Sequence, residues 1–343
     1  MNIFFSILKD IDQVLDQLAL TIDQETAKKL LESGKGLTVK NNGADIQIPA
    51  ASLSAFVGAD GTFTLTTKVE KAKEGAGVTI QAASAATVVS PILTIGEPGT
   101  ALKEPLVLTL KLKDEAAKDA RKVGPYSRTT SGAWSYVGNL KDRQANAFTV
   151  KTSTLGTFAL IEYAKSFDDI ANHWAKDAVE VMASQNIVKG SSANTFNPEG
   201  KVTRAEFATM LVRALGLSAK GAYTGQFTDV KESDWFAGSV EAAAKAGIIR
   251  GSGGKFNPKA SVTREEMTVM LIRALGLTDQ AAGLTPSFSD AGSVATWAKE
   301  AVALAQQKGL ISGIGNNLFA PKGISKRAEA ATLLFRLMDA FRK

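Results

Sequence analysis

Three arginines stand at matching places in the C-terminal half of the chain, each within a short segment that recurs with little change. The segments are Val-Thr-Arg-Ala-Glu at 202–206, Val-Thr-Arg-Glu-Glu at 262–266 and Ser-Lys-Arg-Ala-Glu at 325–329. Their arginines are Arg204, Arg264 and Arg327. Each segment opens an apolar run of helical spacing, and a cation just inside a helix start opposes the helix dipole, which favours negative charge there. The recurrence therefore predicts an anion that these arginines bind.

The first two segments contain a helix-start signal. Thr203 stands three residues before Glu206, and Thr263 stands three residues before Glu266. In such a pair the hydroxyl accepts from a free backbone N–H, and the glutamate accepts from the N–H of the threonine itself. Helices are therefore predicted to start at Thr203 and Thr263.

The third segment departs from this pattern. Ser325 is the expected cap, but Ala328 stands three residues later, so the reciprocal capping pair is predicted to be lost. In the second segment Glu265 adds a negative charge beside its arginine, which would either strengthen or spoil anion binding there. The surroundings of Arg204 are the least disturbed, and that site is ranked first.

The arginines belong to a repeat of 60 to 63 residues, which is best seen by aligning three tryptophans. Each tryptophan precedes an Ile or Leu by thirteen residues and a glycine by sixteen, and a Phe-x-Asp segment lies upstream of it. The tryptophans are Trp174, Trp235 and Trp297. The glycines are Gly190, Gly251 and Gly313. The aspartates are Asp169, Asp229 and Asp290. A register kept three times indicates a repeat architecture.

Each repeat is predicted to form a helix, a glycine-bounded loop with Phe-x-Pro, and a second helix. Both helices have an apolar stripe that one hairpin cannot cover alone, so three hairpins are expected to pack together. The predicted result is an all-α domain over 166–343, with repeats at about 166–217, 226–277 and 287–341. A second arginine lies near the end of each second helix, nine residues after the first: Arg213, Arg273 and Arg336.

The N-terminal half has a different periodicity. Residues 1–20 contain apolar positions at helical spacing and are predicted as a short helix or the remnant of another element. A short helix is predicted from Asp23 to Gly34, followed by a hairpin about the Asn-Gly turn at 42–43. Alternating segments continue to Tyr163, including 78–82, and predict a mainly-β, antiparallel sandwich-like domain over 21–165.

Composition narrows the function classes. The 343 residues contain no cysteine and one histidine, His173, so thiolate metal sites, disulfides and paired histidine ligands are excluded, and no cofactor is predicted. The net charge of +6 is interspersed along the chain, which argues against a nucleic-acid partner. No apolar run is long enough to span a membrane. No export signal is recognisable at residues 1–10, which suggests that the signal lies outside this chain or that the start is truncated.

The repeats resemble the S-layer homology family, a surface-anchoring module of Gram-positive bacteria. Phe-x-Asp, His-Trp-Ala at 173–175, Gly-Ile-Ile-x-Gly at 247–251, Phe-x-Pro and Thr-Arg-Ala-Glu occur in the order of that family. The resemblance implies a pseudo-threefold bundle with each second helix at the centre. It also implies grooves between repeats that hold a secondary cell-wall polysaccharide linked to peptidoglycan, often with pyruvate ketals on N-acetylmannosamine. The implied location is extracellular, at the cell wall or S-layer.

The resemblance assigns roles to the recurring residues. Arginine suits a ketal carboxylate because its planar fork can donate two hydrogen bonds, so Arg204, Arg264 and Arg327 are predicted to hold it. The tryptophans would offer an apolar face, the glycines would let the backbone approach the sugar, and the aspartates would accept sugar hydroxyls.

Each of these roles has a structural alternative. The arginines could be solvated and inert, and the tryptophans could be core residues. The glycines could end a helix with positive φ, and the aspartates could cap the first helix. Glu206, Glu266 and Glu329 are expected to be capping or ion-pair residues, not ligand contacts.

Two functions from different classes fit the whole chain. The first is a non-catalytic surface protein in which the β-domain is displayed on a polysaccharide anchor. The second is the anchoring part of a surface enzyme such as a glycan hydrolase, with its catalytic domain upstream. The segments at 132–138 and 156–160 resemble the β-rich region that often precedes such repeats. Residues 1–165 contain no histidine, no cysteine and no Gly-x-Ser-x-Gly, which favours the non-enzymatic interpretation. A catalytic pair of carboxylates stays open, because it depends on their separation in space.

Overall fold

A computed structural model describes residues 17–41, 44–70, 80, 86–112, 116–129, 131–138, 146–219 and 221–341. They form two compact units, one up to residue 137 together with 146–162, and one that consists mainly of residues from 163 onward. The division lies close to the boundary predicted at 165. Each unit has its own apolar core.

The first unit is β-rich, as predicted. Its described residues contain one α-helix, α1 (Gln24–Glu32). Its strands are β1 (Gln17–Ile22), β2 (Leu37–Asn41), β3 (Ala44–Ile48), β4 (Phe63–Glu70), β5 (Ala86–Val88), β6 (Ile92–Ile95), β7 (Ala101–Lys111), β8 (Val123–Arg128), β9 (Trp134–Tyr136), β10 (Ala147–Thr154) and β11 (Gly156–Tyr163).

The strands form two sheets that contribute to one apolar core. One sheet has the order β1-β4-β6-β11-β8-β9, with β5 also paired to β11, and the other has the order β10-β7-β3-β2. Strand β4 alternates buried and less buried positions, as the period of two requires, and buries Phe63 and Leu65. Ile46 and Leu108 of the other sheet join the same cluster. The buried positions of the period-two pattern in both sheets therefore form this core.

Two of the short elements predicted in this half, the helix after Asp23 and the hairpin that follows it, are present. Asp23 caps α1 by accepting from the N–H of Thr26 at 3.0 Å, and β2 and β3 pair antiparallel as the predicted hairpin. Of the helix or remnant predicted over 1–20, residues 1–16 lie outside the described residues. Residues 17–20 belong to β1, so a helix is wrong there. The strand predicted at 78–82 also lies outside the described residues, apart from Ile80.

The second unit contains two α-helices from each repeat among its described residues, together with several 3-10 turns. The α-helices are α2 (Lys176–Ser184), α3 (Arg204–Ala214), α4 (Ala237–Lys245), α5 (Arg264–Ala274), α6 (Lys299–Gln307) and α7 (Arg327–Phe341). Within the described part of the chain, no helix combines the length and the apolar character needed to cross a bilayer.

The prediction of an all-α bundle of three helical hairpins is wrong. Only about a third of the repeat region is helical, and long loops separate the two helices of each repeat. The main helix contacts join different repeats, since α4 packs on α3, α6 on α5 and α2 on α7. The apolar stripe of each first helix is therefore covered by the second helix of the preceding repeat, in a ring order that closes from the third repeat to the first.

Backbone hydrogen bonds close the same ring just before the second helices. The N–H of Val202 donates to Ser325 O at 3.1 Å, that of Val262 to Val202 O at 2.9 Å, and that of Ser325 to Val262 O at 3.0 Å. All three residues are fully buried. This triangle brings together the three segments that the sequence singled out.

Candidate binding cleft

The predicted helix starts at Thr203 and Thr263 are confirmed. Glu206 N donates to Thr203 Oγ1 at 3.2 Å, and Thr203 N donates to Glu206 Oε2 at 2.8 Å. The corresponding distances for Thr263 and Glu266 are 3.3 and 2.9 Å. Two N–H groups at each helix start thus find acceptors within the same turn.

The third repeat keeps half of this arrangement, through a residue other than the one predicted. Lys326, not Ser325, precedes the first helical residue, and its N–H donates to Glu329 Oε2 at 2.8 Å. Ser325 lies at the buried position that Val202 and Val262 occupy in the other repeats. Among the described residues its hydroxyl has no hydrogen-bond partner. The prediction of Ser325 as the cap is therefore wrong.

Each helix-start arginine reaches across to the next repeat in the ring. Arg204 donates from Nε to Phe256 O at 2.9 Å and from Nη1 to Glu266 Oε1 at 2.7 Å. Its guanidinium carbon lies 5.0 Å from the centre of the Phe256 ring. The first repeat thereby holds both the Phe-x-Pro loop and the helix start of the second.

Arg264 makes the same contacts with the third repeat. It donates to Phe319 O at 2.7 Å and to Glu329 Oε1 at 2.8 Å, and its Nη2 donates to Ser312 O at 2.8 Å. Three of its five N–H groups therefore have acceptors within the described chain.

Arg327 connects the third repeat back to the first. It donates to Phe196 O at 2.8 Å and to Lys189 O at 2.6 Å, while its Nη1 lies 3.8 Å from Glu206 Oε1. Burial lowers the pKa of Arg327, and the carboxylates of Glu206 and Asp169 act in the opposite direction.

The anion that each arginine meets in this structure is a glutamate of the protein. Arg204, Arg264 and Arg327 have side chains only 14%, 12% and 10% exposed, so they are neither solvated nor inert. The same glutamates also accept the backbone N–H at the helix starts, which explains how a cation is tolerated there. That these arginines also hold a ligand carboxylate stays a prediction.

Glu265 makes its contacts with residues other than Arg264, its neighbour in sequence. Its buried carboxylate pairs with Lys322 and accepts from the N–H of Ala295 at 3.0 Å, two residues before Trp297. This contact ties α5 to the turn that carries the third tryptophan, so its charge is satisfied inside the protein.

The three aspartates hold the Phe-x-Pro loops of their own repeats. Asp169 accepts from the N–H groups of Phe196 and Asn197 at 2.8 and 2.6 Å. Asp229 and Asp290 make the equivalent pairs at 2.8 and 2.8 Å and at 2.9 and 2.7 Å. Burial alone would raise the pKa of Asp169, but the two N–H groups outweigh it and the net pKa is lowered. Capping of the first helix is therefore wrong, and sugar contact stays a prediction.

The three glycines are required by close packing. A Cβ on Gly190 would lie 2.3 Å from Ser192 O and 2.6 Å from the Phe167 ring, and one on Gly251 would lie 2.6 Å from Lys255 O. None of Gly190, Gly251 and Gly313 has positive φ, so the helix-ending alternative is wrong. Close approach of a sugar to their backbone is untested.

The tryptophans lie at the surface. Trp174, Trp235 and Trp297 are 64%, 66% and 57% exposed, which excludes the alternative that they are core residues. An exposed indole offers a flat apolar face to a partner.

One cleft unites residues of all three repeats. It has a volume of about 460 Å³ and is open to solvent. Trp174 of the first repeat, Arg264 and Met267 of the second, and Gly313, Glu329 and Arg336 of the third line it. It therefore places a tryptophan, a glycine and a helix-start arginine of the predicted set together, each from a different repeat.

Sequence reasoning overlooked the second arginine of each repeat. Arg336 lies in the cleft, yet Arg213, Arg273 and Arg336 served only to mark where the helices end. Their threefold recurrence at a constant spacing was the available signal.

A scan against protein families matches the S-layer homology domain three times, at residues 166–208, 226–268 and 287–331. Residues 166–331 are three tandem S-layer homology domains. Such domains imply attachment to the cell wall.

Similar proteins include enzymes and surface-layer proteins. Amylopullulanase of Thermoanaerobacterium thermosulfurigenes is 35% identical over 94% of this chain, which corresponds to 17% of its own length. Exoglucanase XynX of Acetivibrio thermocellus is 44% identical over 52% of this chain and 17% of its own. The S-layer protein sap of Bacillus anthracis is 32% identical over 52% of this chain and 22% of its own. The chain thus spans about a fifth or less of these relatives.

Proposed function

We propose that the three S-layer homology domains anchor this protein non-covalently by binding an anionic, pyruvylated secondary cell-wall polysaccharide in clefts between repeats. The β-rich unit is then a non-catalytic domain that is displayed on the anchor or that acts as a spacer. The single observation that carries the proposal is the cleft formed by all three repeats, in which an exposed tryptophan and cations line one surface.

The lining of the cleft suits an acidic sugar. Trp174, Met267 and Ile314 supply apolar surface for the C–H faces of a sugar ring, and Gly313 leaves the backbone accessible. Two N–H groups of Arg264 have no acceptor among the described residues and could donate to a carboxylate. In this proposal Arg204 and Arg327 act in the same way in the equivalent places.

Repetition supports the retention of a polymer. A charge-assisted hydrogen bond contributes about 1.5–3 kcal/mol, so one contact alone binds weakly. Several sites on one polymer raise the effective concentration for each later contact, and avidity exceeds single-site affinity by about two to four powers of ten. Three linked repeats are therefore a mechanism for retention on a polymeric wall.

The test is binding of the full chain to purified sacculi before and after mild acid removal of ketal pyruvate. We expect binding to untreated sacculi and its loss after treatment, because the carboxylate is removed. Trp174→Ala should weaken binding to untreated sacculi by roughly two- to tenfold through lost apolar contact. Ile324→Ala, which alters an exposed apolar residue outside the cleft lining, is the matched control. Unchanged binding after acid treatment would refute the role of the carboxylate.

A second function is favoured by the relatives. The match to amylopullulanase covers nearly this whole chain within a small part of that enzyme. The chain would then be the anchoring part of a surface enzyme, such as a glycan hydrolase. Genomic sequence upstream of the Met1 codon decides: an open frame that continues into a catalytic domain supports this function, and a stop codon in frame contradicts it.

A further inference from the structure

We infer that the second arginine of each repeat, Arg213, Arg273 and Arg336, supplies the net positive charge that attracts the anionic group of the polymer. The helix-start arginines then act mainly as positioning residues. This inference rests on the proposed function, because it names the residues that select an anion within the same clefts.

The charge balance of the described cleft supports this assignment. The charged residues that line it are Arg264, Glu329 and Arg336. Arg264 and Glu329 form an ion pair at 2.8 Å and cancel each other's charge. The excess positive charge of the cleft therefore belongs to Arg336.

Arg336 is half-buried and still has unused donors. Its Nη1 donates to Leu310 O at 3.2 Å, and the ion pairs among the described side chains, which do not include that of residue 339, contain none with Arg336. Four of its five N–H groups have no acceptor among the described side chains and backbone groups. A partly desolvated cation without a counter-ion attracts an anion more strongly than a fully hydrated one, because the local dielectric is lower.

The same geometry recurs in the first repeat. Arg213 Nη1 lies 3.5 Å from Ile187 O, and Ile187 occupies the position that Leu310 occupies in the third repeat. Arg213 is also half-buried and, among the described residues, has no carboxylate partner. Its guanidinium thus makes the same backbone contact as that of Arg336.

A further cation accompanies the second arginine in two repeats. Burial lowers the pKa of Lys189, and the positive charge of Arg213 lowers it further. Burial lowers the pKa of Arg273, and the charge of Arg250 adds to that effect. The third repeat has Ser312 at the position of Lys189 and Arg250. In two of the three repeats, two cations therefore lie near each other, and a bound anion would reduce their mutual repulsion.

The helix-start arginine is suited to a positioning role. Arg264 fixes the Phe319 loop, the Ser312 carbonyl and Glu329, so it shapes the wall of the cleft. Its two remaining N–H groups can donate to a ligand, but they bring no net charge because Glu329 neutralises it. In this proposal Arg264 shapes the wall of the cleft, and Arg336 supplies its net positive charge.

The test uses a pair of probes that differ in charge. The pyruvate ketal of N-acetylmannosamine carries the carboxylate, and its methyl ester keeps the shape but removes the charge. Calorimetric titration of the full wild-type chain should give at least about tenfold tighter binding of the acid than of the ester. The triple variant Arg213→Gln/Arg273→Gln/Arg336→Gln should bind acid and ester about equally.

Matched variants separate charge from structure. Arg128→Gln, which alters an exposed arginine of the β-rich unit, should keep the acid preference. Arg213→Lys/Arg273→Lys/Arg336→Lys should keep most of it, because the charge remains. Circular dichroism checks that each variant is folded. If the Gln triple variant is unfolded, Arg336→Gln alone decides, and it should remove one acid-selective site.

The outcomes distinguish the two proposals. A folded triple variant, or Arg336→Gln alone, that keeps the wild-type acid preference and number of sites overturns the inference and leaves the proposed function intact. A wild-type chain that fails to prefer the acid refutes the proposed function itself.

Discussion

At the scale of single residues, the helix-start glutamates use their two carboxylate oxygens for different contacts. Glu266 accepts from the N–H of Thr263 with Oε2 at 2.9 Å and from Arg204 with Oε1 at 2.7 Å. One side chain thus marks a helix start and binds the neighbouring repeat. An arginine next to a helix N-terminus is stable here because this carboxylate lies beside it.

Ser325 gives a prediction at this scale. Its buried hydroxyl has no partner among the described residues, and an unsatisfied buried polar group costs about 1–3 kcal/mol. The equivalent residues are Val202 and Val262, so we expect Ser325→Val to raise the free energy of unfolding by about 1–2 kcal/mol. Urea denaturation of wild type, Ser325→Val and Ser325→Ala would measure it. A less stable Val variant would mean that the hydroxyl has an acceptor.

At the scale of elements, specific contacts hold the loop between the two helices of a repeat. An aspartate of the same repeat binds its backbone, an arginine of the preceding repeat binds its phenylalanine carbonyl, and a glycine lets it pass close to another phenylalanine ring. These loops contain residues that a simple helical hairpin would place in its helices. For this reason only about a third of the region is helical.

A pair of glycine substitutions tests this packing. A Cβ on Gly251 would meet Lys255 O and the Phe227 ring at 2.6 Å each. We expect Gly251→Ala to lower the free energy of unfolding by about 1–3 kcal/mol through steric overlap. Gly292→Ala is the matched control, because no heavy atom lies within 4 Å of that Cβ and its φ is not positive. It should be neutral or stabilising by up to about 1 kcal/mol. Equal effects in thermal unfolding would contradict the packing role.

At the scale of the whole molecule, the repeat unit is a closed ring. Helix α2 of the first repeat packs on α7 of the third, Arg327 donates to Phe196 O at 2.8 Å, and the backbone triangle joins all three repeats. A linear array of repeats would contain contacts only between sequence neighbours. The first repeat here depends on the last.

Truncation tests the closure. A chain that ends at residue 286 lacks the third repeat, so α2 loses α7 and the Phe196 loop loses Arg327. We expect the helical circular dichroism signal of the first two repeats to be largely lost, and cooperative urea unfolding of that region to disappear. If the truncated chain kept about two thirds of the helical signal of the full chain and unfolded cooperatively, contacts between neighbouring repeats would be sufficient for folding.

The sequence predicted the local features of the site well. Capping pairs act within three residues, apolar periodicity acts within one or two turns, and the repeat register follows from comparing segments. These local rules gave the helix starts at Thr203 and Thr263, the hairpin after α1 and the gathering of Trp174, Arg264 and Gly313 as one set of candidates.

The sequence by itself determined where helices and strands begin and which residues recur, because those features depend on interactions between near neighbours. Only the tertiary structure decided which helices pair and what each arginine binds. Arg204 and Glu266 are 62 residues apart, and Arg327 and Phe196 are 131 apart. All three repeats have the same apolar stripe and the same arginine, so local pattern cannot distinguish packing within a repeat from packing around a ring. The close packing of the three repeats selects the ring, and with it the cleft.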